Sequence, residues 1–250
     1  MSRAGAWRLW LLLGFAGGLE LATRTGAIAR TVLIPPSDMV VRLVGIFREG
    51  ALVDDIGTTL LAVLIAFVLA VSTGFLLGVI IHAVPRLRRA LDPFFATYYA
   101  VPFFVFYPVM IAIFGLSKLP VIAIAYLFAV VAMIVNTLNG IDRIPRVLGK
   151  VARVHRLSWA DEAWNVKLPA AAPNLFTGIK LAVAYAFIGT IASEFIMAAS
   201  GLGYSIAYAY NNFDNRTMYA LMLFVILLVG AINMALYGWE KRLMARRFGR

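Results

Sequence analysis

The sequence predicts an all-α polytopic membrane protein with six transmembrane helices and both termini in the cytoplasm. Three observations predict it: an apolar excess that no soluble core can hold, six apolar stretches near the length of a span, and basic residues gathered in alternate intervals. The chain has 250 residues, 62% of them hydrophobic and 14% charged, and a mean hydropathy of +0.88. A soluble domain is roughly 45–50% apolar and about 25% charged, and it still needs a polar shell around its core. This composition excludes a soluble enzyme, a disordered tail and a nucleic-acid-binding domain. With no cysteine there is no disulfide framework and no thiolate metal site. His82 and His155 stand far apart in the chain, so no metal site is expected.

A helix needs about 20 apolar residues to cross the hydrocarbon layer. The candidate spans are Trp7–Ala22, Ile56–Ile81, Phe94–Phe114, Leu119–Leu138, Leu175–Ala199 and Met218–Tyr237. The first carries Glu20 and three glycines and could be read as a signal peptide. The span reading is preferred because no soluble domain follows and no small-x-small cleavage site stands after Leu21. With the N-terminus inside, the cytoplasmic intervals 1–8, 82–92, 139–174 and 238–250 hold sixteen of the 23 Lys and Arg residues. The outer intervals hold six, and Lys180 lies just inside the fifth span. Positive charge collects on the cytoplasmic side, which orients the chain and explains the net charge of +11 without an acidic substrate.

Two intervals are long enough to fold. In the outer segment 24–55, Pro35-Pro36 break a helix, and Ser37 can cap a short amphipathic one bearing Met39, Val40, Leu43 and Phe47. Such a helix is expected in the membrane interface. In the inner segment 139–174, Val147, Val151 and Val154 form an apolar stripe, and Arg146, Lys150 and Arg153 repeat the spacing one residue earlier. Ser158-Trp159-Ala160-Asp161 has capping-box spacing, so a second short helix over 159–167 follows, ended by Leu168-Pro169. Two rigid helices with a corner between them suit a soluble partner, because a flexible tether would lose the coupling to chain entropy. An ordinary basic loop is the plainer alternative.

The ordered residues here resemble the permeases of binding-protein-dependent ABC importers, and among them the nitrate/sulfonate/taurine group. Lys167-Leu168-Pro169-Ala170-Ala171-Ala172-Pro173 with Thr177-Gly178-Ile179-Lys180 looks like the segment after the family's EAA loop. Asp92-Pro93, Phe114-Gly115-Leu116, Asn136-Thr137, Gly140-Ile141 and Ser200-Gly201-Leu202-Gly203-Tyr204 match in order. The resemblance spans about residues 35 to 245 and implies one transmembrane domain over 1–250. It implies a bacterial inner-membrane permease that pairs with a second copy or a paralogue. It also implies two cytoplasmic ATPase subunits and a periplasmic solute-binding protein. No Gly-x-x-x-x-Gly-Lys-[Ser/Thr] loop is present, so ATP hydrolysis belongs to a partner, and no cofactor is expected.

The loop departs from the family pattern. Counting back from Leu168-Pro169, Lys150-Val151-Ala152 stands where Glu-Ala-Ala is usual, and Arg156 where a glycine ends the helix. Either the ATPase carries a compensating acidic groove, or a second permease supplies the regular loop. Contact with the ATPase is expected through Ser158, Trp159, Asp161, Glu162 and Trp164. Glu194 is the one acid deep in a span, where a charge costs about 2.5–3.5 kcal/mol. It reads equally as a pathway contact or as a hydrogen-bond anchor. Pro102 and Pro108 break the third span, and Phe103 and Tyr107 beside them either line a solute path or pack. Gly74 and Gly78 read as a packing site within the chain. A secondary transporter, which predicts several deep charges and internal repeats, is the alternative function. A membrane-embedded enzyme would need clustered titratable groups, and none appears.

Overall fold

The computed structural model describes residues 3–50 and 52–248, and among these all regular structure is helical. The helices are α1 (Arg3–Arg24), α2 (Pro36–Glu49), α3 (Val53–Ala83), α4 (Pro85–Thr97), α5 (Tyr107–Phe114), α6 (Leu119–Asp142), α7 (Arg146–Val154), α8 (Trp159–Glu162), α9 (Leu168–Met197), α10 (Leu202–Asn211) and α11 (Asn215–Phe248). Among the described residues, four helical stretches are long and apolar enough to cross a membrane: Val53–Ala83, Leu119–Asp142, Ala160–Ile196 and Asn215–Leu243. A bent pair, Pro85–Ala100 and Phe103–Phe114, turned through 88°, makes a fifth if its two halves are taken as one span. The expected third span is therefore broken. Pro102 precedes a short 3₁₀ turn, Phe103–Phe106, and Pro108 opens α5. Neither proline has an N–H to continue a helix across the gap. α1 is helical over the expected first span but is not among these stretches.

The chain forms two compact units, Met1–Thr58 with Glu194–Gly230, and Thr59–Ser193 with Ala231–Arg250. In the first, α2 starts at Pro36 behind Pro35, and Ser37 is not its cap. Proline is pre-set for the first helical turn, which draws Ser37 inside. The Glu20 carboxylate takes over, accepting from the Ser37 N–H at 3.0 Å and from its hydroxyl at 2.6 Å. Asn215 Nδ2 donates to the Thr31 carbonyl at 2.8 Å, and the Tyr219 hydroxyl donates to Val32 O.

In the second unit α6 is the central helix, with Ile124, Ala125 and Ala129 fully buried. Glycines let its neighbours approach. A Cβ on Gly74 would stand 2.8 Å from Met133 Cβ, and one on Gly78 would stand 2.6 Å from Thr137 Cβ. The Gly-x-x-x-Gly pair is thus a packing site within the chain, as its spacing predicts. Gly189 of α9 likewise abuts Ala125. Met133, Ala171 and Leu175 form a core cluster here.

Candidate coupling loop and translocation path

α7 ends in a left-handed corner. Arg156 has φ +50°, its N–H reaches Arg153 O at 3.0 Å, and the Leu157 N–H reaches Ala152 O at 3.0 Å. Those two bonds are the Schellman pattern, in which the residue at this place is usually glycine. Arginine holds the same conformation at a cost of about 1 kcal/mol. Ala152 is buried against the protein, while Lys150 and the three valines of the stripe are exposed.

Ser158 caps the next helix. Its Oγ accepts from the Asp161 N–H at 3.1 Å and its hydroxyl donates to Asp161 Oδ2 at 2.6 Å. A glutamate would reach back to the cap's own N–H; the shorter aspartate meets the hydroxyl instead. Glu162 pairs with Lys167 at 3.1 Å. Trp164 is 72% exposed, and the side chain of Trp159 lies outside the described residues.

The expected stop at Leu168-Pro169 does not occur. Ala163–Lys167 winds as a π turn, with the Leu168 N–H on Ala163 O, and the helix runs on into α9. Pro169 lies inside this continuous helix just beyond the π turn and has no N–H to give the turn before it. The wider turn supplies an extra residue that realigns the backbone ahead of it.

Of the residues expected along a translocation path, four lie in the broken third span and Glu194 lies near the end of α9. Phe103 and Tyr107 are buried, while Pro102 and Pro108 are exposed. Phe103 lies 4.6 Å from Tyr98 and 5.5 Å from Phe128 between ring centroids. The Tyr98 hydroxyl donates to Leu127 O at 2.8 Å. Glu194 is only 2% exposed, and its Oε2 accepts from the Gly203 N–H at 3.0 Å. Gly201 has φ +107°, and a Cβ there would overlap the Glu194 carboxyl.

Sequence reasoning missed a partner in this cap. Asp55 accepts from the Gly201 N–H at 2.9 Å and from the Ser205 hydroxyl. Two carboxylates therefore meet the N-terminus of α10, where backbone N–H groups and the helix dipole favour negative charge. It also missed the joint of α4 and α6, where Arg88 donates to Asp142 at 2.7 Å and His82 Nδ1 lies 3.3 Å from the same carboxylate. A cavity of about 230 Å³ opens there, lined by Arg88, Asp92, Phe95 and Asn139 among others. Basic and acidic residues at span ends were the available signal, but pairing across 54 residues is not written in local spacing.

Residues 70–249 match the family of the binding-protein-dependent transport system inner membrane component. The chain belongs to this family. The permease is 33% identical over 185 residues to a nitrate import permease protein of Leptolyngbya laminosa, covering 74% of this chain and 66% of that protein. It is 31% identical over 241 residues to a probable ABC transporter permease protein of Brucella abortus, covering 92% and 95%. The taurine transport system permease protein of Escherichia coli is 27% identical, over 86% of this chain and 80% of that one. In fold, the permease resembles a chain of the MetNI methionine ABC transporter solved in inward-facing form. The TM-score is 0.64 at 20% identity, covering 75% of this chain and 94% of that one. It is an ABC importer permease, a multi-pass membrane protein and a transport component.

Proposed function

We propose that this permease carries a small anionic or organic solute across the bacterial inner membrane, of the class to which nitrate, sulfonates and taurine belong. A periplasmic binding protein delivers the solute, and two separate ATPase subunits drive transport. A second copy or a paralogue completes the path. Six spans with both termini cytoplasmic fit the placement of the basic residues, with α1 as the first span and the bent pair as the third. The 139–174 segment is the coupling loop, meeting the ATPase through Lys150, Arg156, Ser158, Trp159, Asp161, Glu162 and Trp164. Ala152, Leu168 and Pro169 hold its inner side.

One observation carries the reading. A corner locked by a Schellman turn on one side and a serine cap on the other continues unbroken into the 37-residue helix Ala160–Ile196. Such a corner moves as a body, so a push on it reaches the membrane. The test is an affinity pull-down of the tagged chain from native membranes in mild detergent, read by mass spectrometry. An ATPase subunit should be recovered, together with any second permease. If conditions that preserve a known ABC complex yield no ATPase, the importer mechanism fails and a secondary transporter takes its place.

A further inference from the structure

We propose that the exposed face of α7 selects an ATPase whose docking groove is apolar at its floor and acidic at its rim. This rests on the docking role proposed above and names the chemistry of the partner. Val147, Val151 and Val154 form one exposed stripe of α7, and Arg146, Lys150 and Arg153 form the next. The helix contains no acidic residue. The two acids of α8 are already engaged, Asp161 by the Ser158 hydroxyl and Glu162 by Lys167. Neither neutralises the basic stripe.

Seating the valines in a groove brings the flanking cations against its rim. A neutral or basic rim would strip water from them without supplying a counter-charge, which is unfavourable. Carboxylates at the rim restore the balance and set the register of docking. Lys150 stands where the family's loop usually has glutamate, so the charge preference here is reversed. An ATPase matched to a glutamate-bearing loop is rejected by like-charge contact. The other surface such a helix could meet is an anionic bilayer. Interfacial helices commonly set Trp, Phe or Leu into the lipid, whereas this stripe is all valine and its helix is tied into a capped corner. A protein groove fits it better.

The test uses the permease co-purified with its own ATPase. Raising NaCl from about 0.1 M to about 1 M shortens the screening length from about 10 Å to about 3 Å, and it should release ATPase from the wild-type complex. Lys150→Glu with Arg153→Glu should weaken ATPase retention about tenfold or more, with Lys150→Gln and Arg153→Gln in between. Lysines placed at two rim carboxylates of the ATPase should restore binding to the glutamate variant. The graded glutamine variant and the salt response keep the test decisive if the reversal variant is not monodisperse. Wild-type retention by the reversal variant at both salt levels, with Trp164→Ala still shedding the ATPase, overturns the acidic rim and leaves the docking role standing. Full retention by both variants overturns the docking role itself. If the reversal variant keeps the ATPase but no longer floats with vesicles of anionic phospholipid, the face belongs to the bilayer and the proposal falls.

Discussion

At the scale of single residues, the buried acid and the left-handed arginine act oppositely. Glu194 stabilises a turn by accepting the Gly203 amide. Glutamine keeps an acceptor oxygen in the same place, whereas leucine leaves a buried N–H without a partner, at about 1–3 kcal/mol. Glu194→Gln should therefore assemble and transport, and Glu194→Leu should lower both, read as yield of monodisperse complex and solute uptake. A fully active leucine variant would remove any role for the carboxylate. Arg156 instead sits in strain at φ +50° with its side chain exposed. Arg156→Gly should raise stability by about 1 kcal/mol, seen as a higher melting temperature in detergent. The corner at Arg156 was legible in the sequence, because counting back from Leu168-Pro169 marks a place where glycine is usual. The Asp55–Gly201 bond was not, since its ends are 146 residues apart and neither has a periodic neighbour to announce it.

At the scale of elements, α3 and α6 depend on bare backbone where they cross. Gly78→Val would drive a branched side chain into Thr137, and overpacking of this kind costs about 1–3 kcal/mol. The expected result is a lower melting temperature with the helix content retained by circular dichroism. α11 is held at its start by Asp214, whose carboxylate accepts from the Thr217 N–H at 3.1 Å. Desolvation works against ionisation there, but the Thr217 bonds and the Arg42 charge outweigh it, so the Asp214 carboxyl titrates below its usual range. A depressed folded value means the stabilisation is complete above the ordinary carboxylate pKa of about 4 and is lost as pH falls through the folded value. Asp214→Asn should flatten that acid limb in melts between about pH 6 and pH 3. Helix existence followed from periodicity and the break in the third span from its prolines. The π turn did not, because nothing in Ala163–Lys167 distinguishes a wide turn from an ordinary one, and packing decides between them. The cap of α2 was misassigned for a similar reason, since Glu20 reaches it from a different helix.

At the scale of the molecule, the proposed coupling needs the loop and the spans to move together. Trp164→Ala and Glu162→Ala should leave insertion intact and reduce solute-stimulated ATP hydrolysis by the assembled complex. The loss of Glu162 also frees Lys167, so the glutamate variant is expected to show the larger defect. Normal stimulation in both would remove the loop from the coupling route. The family and four of the spans could be read from residue order. The solute class could not, because residue order names no solute contact; Phe103 beside Pro102 packs against Tyr98 and Phe128.

The helix Ala160–Ile196 has 37 residues and is about 55 Å long at 1.5 Å per residue, against a hydrocarbon layer of about 30 Å. In the proposed coupling it would act as a drive shaft, longer than the bearing it turns in. The π turn near one end gives that shaft a phase offset of about 100°, one residue's worth of rotation. A torque applied at the corner arrives at the far end with its angle already set. Removing one residue from Ala163–Lys167 would let the turn close as an ordinary α turn with the later side chains on the same faces, whereas adding one beyond it would turn them all by about 100°.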